Sequence, residues 1–253
     1  MLNTHLIMEQ IRYHPIVATI SIAVGTVLAS EVIWKVVQYF RSKREKANRV
    51  HEVVVFNELG EICAAQHLWN TRPGSQEPEA AHCRNTHCTL RNVGKIAEQI
   101  DRAVYSIDLA IYTFTSFSLA DALKRALQRD VSIRIISDGE MVFSSGSQIT
   151  MLARLGVPVR VPITTYMMHN KFCIIDGVER VEEIRQLRKR KWMRPCYSIA
   201  VSGSVNWTRQ GLGGNWENCI ITADEKLTAM FQAEFNRMWK AFEKTEASLI
   251  QPK

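Results

Sequence analysis

Apolar residues dominate the start of this chain in a way that differs from everything after it. The stretch from Tyr13 to Ser30 contains no Asp, Glu, Lys or Arg, and after one glutamate the apolar pattern continues to Phe40. About 20 mainly apolar residues can cross a bilayer, so residues 16–40 are predicted to span a membrane, with Lys35 extending its ammonium toward the interface. A cleaved signal peptide and a buried helix are the alternatives. Basic residues are concentrated after the span, so the remainder is expected to face the cytosol.

Beyond residue 50 the apolar positions alternate between the two-residue period of strands and the 3.6-residue period of helices. Predicted strands cover 51–57, 105–114, 131–137, 157–162, 196–204 and 218–224, with another in 167–177, and predicted helices cover 89–103, 118–129, 148–156 and 225–244. Alternating strands and helices predict an α/β domain over residues 51–250 with a central sheet. Residues 1–40 would then be an anchor, 41–50 a basic linker, and 60–88 an insert without clear periodicity.

Composition narrows the possible partners. The 253 residues are 46% hydrophobic, which is enough for one domain with a real core, and the formal net charge is +7. A basic chain favours anionic partners, which are nucleic acids or acidic membrane surfaces. The six cysteines are not expected to form structural disulfides in a domain that faces the reducing cytosol.

A histidine and a lysine stand together at the start of a predicted strand, in the sequence MMHNKFCIIDG at 167–177. Because side chains alternate along a strand, His169 and Lys171 are expected on one face, and Asp176 follows at the far end. An ammonium beside an imidazole disfavours a metal ion, because the two cations compete for the same place. The pair suits phosphate chemistry, in which the lysine binds anionic oxygens and the histidine acts as nucleophile or proton donor.

More groups that suit a phosphate follow the next predicted strand. Gly203 permits close backbone approach, and Ser204 and Asn206 offer neutral donors to phosphate oxygens. Glu217, in the sequence GGNWENC, could accept a hydrogen bond from one ring nitrogen of His169 and so fix its tautomer. Together these residues predict a phosphate site with a nucleophile, an electrostatic clamp and an orienting acid.

The pattern H-x-K-x-x-x-x-D followed by G-S-x-N resembles the signature of the phospholipase D superfamily, and the resemblance extends over residues 50–245. It implies a phospholipase-D-like α/β sandwich, with a central mixed sheet flanked by helices and one H-K-D half per chain. It also implies a covalent phosphohistidine mechanism without a catalytic metal. The catalytic residues that it implies are His169, Lys171, Asp176, Ser204, Asn206 and Glu217. The chain is similar to a group of endonucleases of the mitochondrial outer membrane that make piRNAs. The similarity lies in the anchor, the single motif and the Cys/His-rich insert.

The presence of one motif predicts two chains. One neutral imidazole must attack phosphorus, and a second, protonated one must release the leaving alkoxide. The sequence contains a single H-x-K-x-x-x-x-D, so a two-fold homodimer that sets His169 opposite its symmetry mate is the economical solution. The resemblance implies the same arrangement.

Cysteine and histidine residues cluster within the irregular insert. Two pairs of metal-binding side chains separated by a loop suit a tetrahedral structural zinc ion. The predicted ligands are Cys63, His67, Cys83 and Cys88. His82 and His87 are rivals of His67 for one position, and a polar loop with free thiols is the alternative.

A strongly basic segment separates the two parts of the motif. Asp176 and Gly203 are 27 positions apart, whereas simple family members join them by a short hairpin. The predicted substrate-binding residues of this segment are Arg188, Lys189, Arg190 and Lys191. Clustered cations beside Trp192 suit a phosphate backbone and a stacked base, although a solvated flexible loop explains the same composition.

Two substrates remain open. A groove lined by lysine would accept a thin, flexible strand, which favours single-stranded RNA and also allows single-stranded DNA, because no 2′-hydroxyl takes part. The alternative substrate is cardiolipin, an anionic phospholipid of the mitochondrial membrane. The predicted membrane anchor favours this alternative. Tyr166, Met167 and Met168 are the apolar residues nearest the motif. A catalytically idle membrane scaffold has no use for the complete set of phosphate-binding residues.

Overall fold

The computed structural model describes residues 15–47, 50–69 and 83–242, which form two units. The first unit is a helix, α1 (Pro15–Ala47), whose residues Pro15–Phe40 are long and apolar enough to cross a membrane. Its apolar side chains are exposed in this stretch, which argues against a helix buried in a protein core. The predicted linker at 41–50 begins inside this helix, because residues 41–47 continue its turns without a break.

The second unit is built on a seven-stranded sheet in the order β1-β7-β6-β5-β2-β3-β4. The strands are β1 (His51–Phe56), β2 (Ser106–Ile111), β3 (Ser132–Ser137), β4 (Val159–Arg160), β5 (Lys171–Ile175), β6 (Ile199–Gly203) and β7 (Glu217–Thr222). Strands β2, β3 and β4 are parallel to one another, and the remaining neighbours are antiparallel. The mixed central sheet that the family resemblance implies is therefore present.

Helices cover both faces of the sheet. They are α2 (Ala64–Trp69), α3 (Thr89–Arg102), α4 (Phe117–Gln128), α5 (Ile149–Arg154), α6 (Val178–Leu187), α7 (Arg209–Gly213) and α8 (Glu225–Ala241), with short 3-10 turns at Glu58–Glu61 and Met141–Phe143. One core lies under α3 and α4, where Ile96 and Leu123 are fully buried. The other lies under α8, where Phe235 and Met238 pack against Phe172. Each large side chain removed from water in this way contributes about 1.5–3 kcal/mol.

A buried ion pair ties α8 to the sheet. Arg134 on β3 donates two hydrogen bonds to the Asp108 carboxylate on β2, at 2.8 and 2.6 Å, and Gln232 on α8 donates a third at 2.8 Å. Both charged side chains are almost fully buried, so each needs the other to offset its lost hydration. This network fixes β2 and β3, whose final residues lead to the candidate site.

The strand registers define two opposite ends of the sheet. Ile111 pairs with Lys171, and Gly203 pairs with Cys219, so the ends of β2 and β6 and the starts of β5 and β7 meet at what we call the His169 end. At the other end, Ile175 pairs with Ile107, and Asp176 follows. We call this the Asp176 end.

Two helices differ from the sequence predictions. The helix predicted to begin at residue 118 begins one residue earlier, at Phe117, because Ser116 is the N-cap of α4 and accepts a hydrogen bond from the Leu119 amide. The basic segment after Asp176 was expected to be a loop, but its first part forms α6. Only Ile184 of that helix is buried, so the segment lacks the wide apolar stripe that would have revealed a helix.

Candidate active site at the His169 end of the sheet

His169 and Lys171 meet beside an aromatic ring. His169 is exposed just before β5, and its ring centroid lies 4.8 Å from that of Tyr112, which follows β2. The Lys171 ammonium lies 5.3 Å from the Tyr112 ring centroid and donates a 2.8 Å hydrogen bond to the His169 carbonyl oxygen. The predicted shared face of the histidine and the lysine is therefore observed. Sequence reasoning missed Tyr112, since an aromatic residue after a buried strand looks like ordinary core.

Lys171 is partly withdrawn from water, and this changes its acidity. Desolvation lowers the pKa of Lys171 below its ordinary value near 10.5, while the negative charge of Glu217 opposes the shift. An ammonium group that is partly shielded from water has N–H donors that can bind an incoming anion. This is the behaviour expected of a residue that binds phosphate oxygens.

Ser204 and Glu217 form a second polar group at the same end. The Ser204 hydroxyl donates to one carboxylate oxygen of Glu217, and the Asn215 side-chain amide donates to the other at 3.2 Å. Within the part of this chain that the structure describes, Glu217 makes no hydrogen bond with His169. The predicted role of Glu217 as the acid that orients His169 is therefore not observed in the single chain, because both of its oxygens have local partners.

Asn206 is held by the turn that follows β6. Its side-chain oxygen accepts a 3.3 Å hydrogen bond from the Thr113 amide, which leaves the amide nitrogen as a donor toward the site. The carbonyl oxygen of the buried Trp207 accepts hydrogen bonds from the amides of Thr115 and Ser116, at 2.9 and 2.8 Å. The backbone around Asn206 is thus fixed against the end of β2.

Gly203 is required by the close approach of β6 to β7. A Cβ at this position would clash with the carbonyl oxygen of Asn218, whose amide donates to the Ser204 hydroxyl at 3.2 Å. The glycine lets β7 lie near enough for Glu217 to reach Ser204. Its predicted role in close backbone approach is observed, although the partner is the neighbouring strand.

Asp176 is not part of this site, which corrects its prediction as a catalytic residue. It follows the opposite end of β5, where its carboxylate accepts hydrogen bonds from the amides of Val104, Tyr105 and Ser106 at 2.9, 2.7 and 2.9 Å. Burial raises the pKa of Asp176, and the three amides oppose the shift. The residue therefore fixes the segment that leads into β2 and acts on the site only through β2 and β5.

The predicted substrate-binding cations also lie away from His169. Arg188 forms an ion pair with Asp130 at 2.8 Å, and both residues line a cleft together with Val104 and Tyr105 at the Asp176 end. Lys189, Arg190 and Lys191 continue from Arg188, and all three are exposed. These four residues do not lie beside His169, because α6 carries them away from it, and their binding of substrate stays a prediction.

The four predicted metal ligands do come together. The ligand atoms of Cys63, His67, Cys83 and Cys88 all lie within 4.8 Å of one another, a spacing that suits a tetrahedral zinc ion with Zn–S bonds of about 2.3 Å. The Asn57 side chain lies 3.3 Å from the His87 ring, which directs that rival elsewhere. His82, the other rival, lies outside the described residues. A cation fits this donor set, and no position would be left open for a water ligand.

The family is decided by the extent of a sequence match. A family model described as cardiolipin synthase, PLD-like domain, matches residues 96–239, which is more than half of the chain. The chain belongs to the phospholipase-D-like family. It is therefore an enzyme of the phosphodiesterase class, and the sequence-based identification of the superfamily is confirmed.

Relatives of this phospholipase-D-like protein match most or all of its length. A Drosophila melanogaster protein named mitochondrial cardiolipin hydrolase is 78% identical over 253 residues and covers all of both chains. A human protein of the same name is 30% identical over 234 residues, which are 91% of this chain and 82% of the human one.

Solved structures confirm the predicted fold class. The phospholipase D family member Nuc from Salmonella typhimurium aligns with a TM-score of 0.51 at 20% identity, over 77% of this chain and 96% of that one. NucT from Helicobacter pylori aligns with a TM-score of 0.50 at 22% identity, over 62% and 92%. At these identities the likeness concerns the fold of the phospholipase-D-like domain.

Proposed function

We propose that this protein cleaves phosphodiester bonds of single-stranded RNA at the His169 end of its sheet and leaves 5′-phosphate ends. The proposal rests on four groups that lie at this end of the sheet. They are the exposed imidazole of His169, the partly desolvated ammonium of Lys171, the side-chain amide of Asn206 and the hydroxyl of Ser204. These groups match the nucleophile and the oxygen-binding groups that phosphoryl transfer needs.

The reaction proceeds in two balanced steps. A neutral ring nitrogen of His169 attacks phosphorus, and the bond between phosphorus and the 3′-oxygen breaks as that oxygen receives a proton. Water then attacks the phosphohistidine and gives a proton back to the group that protonated the 3′-oxygen, the N–P bond breaks with its electron pair returning to His169, and the released 5′-phosphate carries the new oxygen. Lys171 and Asn206 stabilise the anionic oxygens in both steps. No metal takes part, and single-stranded DNA is also a substrate because the 2′-hydroxyl is not used.

The proton donor comes from a second copy of the chain. The sequence carries one H-x-K-x-x-x-x-D motif, and among the described residues the ring that contacts His169 is Tyr112, not a second histidine. A two-fold dimer through this end supplies a second imidazole of opposite protonation state.

Exposed aromatic residues support a nucleic acid substrate. Tyr166 precedes the motif and Trp216 precedes Glu217, and both side chains are largely exposed. Stacking of an unpaired base on such a ring contributes about 1–3 kcal/mol, and every base has a face to offer. Duplex bases are already stacked, so this surface favours a single strand.

Cardiolipin is the second candidate substrate, and two observations favour it. The Drosophila and human relatives are named mitochondrial cardiolipin hydrolase. The aliphatic side chains of Ile163 and Met167, just before the motif, are also exposed and could contact acyl chains. The same phosphohistidine chemistry would release phosphatidic acid.

We place the enzyme at the mitochondrial outer membrane, with α1 as its single span and the catalytic domain in the cytosol. The relatives' names and the length and apolar composition of Pro15–Phe40 support this location. Basic residues just after the span support the orientation. The RNA products would serve piRNA production in the germline. A structural zinc ion held by the Cys/His cluster would order the chain between β1 and α3.

The test uses the full chain in phosphatidylcholine nanodiscs with labelled single-stranded RNA, and in a separate arm with cardiolipin vesicles. RNA cleavage without added metal is expected, with loss of at least about 10²-fold in His169→Asn. His51→Asn is the matched control, because that histidine bonds Thr222 at the Asp176 end. Lipid turnover without RNA turnover would reverse the choice of substrate.

A mixing experiment tests the composite site. Unchanged subunits are combined with increasing fractions of His169→Asn subunits, and RNA cleavage is measured after subunit exchange. Activity is expected to fall with the square of the fraction of unchanged subunits, because every mixed dimer lacks one of the two imidazoles. A fall in direct proportion to that fraction would show that each chain works alone.

A further inference from the structure

A cleft at the Asp176 end of the sheet has no part in the chemistry proposed at His169. Its volume is about 380 Å³, which is ample for a phosphate group and its substituents. The residues that line it are Val104, Tyr105, Arg129, Asp130, Arg188, Arg190, Trp192 and Arg194. Four arginines and one aspartate give it a strong positive potential.

Half of this positive charge is not neutralised by the protein. Arg188 forms an ion pair with Asp130 at 2.8 Å, and Arg129 forms one with Asp101 at 3.7 Å and also donates a hydrogen bond to the Ile100 carbonyl oxygen. Among the residues that the structure describes, the guanidinium groups of Arg190 and Arg194 have no carboxylate or hydrogen-bonding partner. The two unpaired guanidinium groups in the cleft can therefore donate hydrogen bonds to a bound anion. A phosphate group suits them, because two of its oxygens can accept two parallel hydrogen bonds from one guanidinium group.

The backbone of the segment that carries these arginines is anchored at two points. The Arg194 amide donates a hydrogen bond to the Tyr105 hydroxyl at 2.5 Å, and the amide of Tyr105 is itself bound by Asp176. On the other side, Arg180 of α6 donates to the Ser132 hydroxyl at 3.0 Å. The basic segment is thus fastened to the starts of β2 and β3.

Exposed apolar side chains lie in and next to the residues of the cleft. Trp192, which lines the cleft, is 74% exposed, and Leu187, which directly precedes the cleft residue Arg188, is 70% exposed. Arginine and lysine mixed with exposed tryptophan and aliphatic residues are typical of surfaces that lie at the boundary between lipid headgroups and acyl chains. A surface for a nucleic acid backbone alone would have no use for the exposed leucine.

The chain enters the domain at this same end. Val50 is its first described residue, and the Val50 carbonyl oxygen accepts a 2.8 Å hydrogen bond from Ala223, just after β7. The next residue, His51, pairs with Thr222 at the Asp176 end of the sheet. Residues 48–49 alone separate Val50 from the end of α1, so the covalent connection to the candidate span is made here and not at the His169 end.

We propose that the cleft binds the phosphate of an anionic phospholipid headgroup, while Leu187 and Trp192 insert at the membrane interface. The domain then docks on the bilayer by its Asp176 end. His169 lies at the other end of β5 and is directed away from that bilayer, toward substrates in the aqueous phase. Headgroup binding here is structural and involves no bond cleavage.

The test measures hydrogen exchange of residues 178–194 in the full chain, in nanodiscs of phosphatidylcholine and of phosphatidylcholine with one-third phosphatidylglycerol. Slower exchange is expected in the anionic discs, and added salt should weaken the effect. Removal of two arginines near an anionic surface corresponds to a loss of about 30-fold in the docking equilibrium, so Arg190→Gln/Arg194→Gln should abolish the protection. Arg209→Gln/Arg237→Gln, which removes the same charge elsewhere, should retain it.

Two further arms distinguish other sources of phosphate. Inorganic phosphate and a single-stranded RNA oligonucleotide are each added to the neutral discs. No protection is expected from either. Protection by free phosphate, protection by RNA in neutral discs, or equal exchange in neutral and anionic discs would each overturn the proposal. None of these outcomes depends on whether RNA is cleaved at His169.

Discussion

The substitution Asp176→Asn separates a structural from a catalytic role for the aspartate of the motif. Asp176 has a φ of 49°, a left-handed conformation that asparagine also tolerates, so the change leaves the backbone preference intact. The asparagine oxygen can still accept from the amides of Tyr105 and Ser106. Its NH₂ group would face the Val104 amide, which now donates to the second carboxylate oxygen, and two donors cannot bond each other.

The expected cost follows from these contacts. A hydrogen bond to a charged acceptor contributes about 1.5–3 kcal/mol, and the Val104 bond is lost outright. The other two bonds weaken because charge-assisted bonds are about twice as strong as neutral ones. Burial of the negative charge, which raises the pKa of Asp176, offsets part of this loss. A decrease of about 2–4 kcal/mol in the free energy of unfolding is expected, or about 5–15 °C in Tm.

Thermal unfolding of the full chain in nanodiscs and single-turnover RNA cleavage below the melting range provide the two readouts. Asp176→Asn should lose stability and keep nearly full activity per folded molecule. His169→Asn should show the reverse, with an unchanged Tm and lost activity. An Asp176→Asn protein as stable as the natural one but as inactive as His169→Asn would refute the structural assignment.

Three further predictions concern the site and its support. Glu217→Gln removes the negative charge that opposes the effect of desolvation on the Lys171 pKa, so this pKa should fall further. The alkaline limb of the pH profile of kcat/KM should then move to lower pH. An unmoved limb would show that the limb does not report the titration of Lys171. Gly203→Ala should cost about 1–3 kcal/mol of stability by overpacking against Asn218 and raise KM for RNA, and a neutral effect in both assays would contradict the close approach. Cys88→Ser keeps the side-chain cap of α3 but loses a metal ligand, so zinc content by elemental analysis and Tm should both decrease, whereas retained zinc would exclude the cluster.

Features that depend on local periodicity could be predicted from the sequence. The alternation of a short strand places His169 and Lys171 together, and a glycine followed by serine marks the end of β6. Because strands that end at one edge bring their last residues together, Ser204 joins this group although it is 35 positions beyond His169. Chemistry that resides at strand ends is therefore accessible before a structure is known.

Other features depend on tertiary contacts that no local pattern encodes. Glu217 was expected to orient His169, but Ser204 and Asn215 reach its carboxylate first. The path of the segment after Asp176 was also out of reach, since α6 buries a single residue, Ile184, and its arginines resemble a solvated loop. In both cases the tertiary fold determines which groups become neighbours, and the sequence near each residue does not show this.

The spacing within the motif has a simple structural meaning. Lys171 and Asp176 are five positions apart, and at about 3.3 Å per residue a strand of that length covers about 16 Å. A carboxylate at that distance cannot reach a phosphate held by the lysine, so the spacing reflects the length of β5 rather than a contact. The histidine and the lysine mark the end where the strand meets substrate, and the aspartate marks the end where the same strand is fastened to the segment before β2. A longer or shorter β5 would misplace one of the two ends, which is why a residue outside the site belongs to the pattern that identifies it.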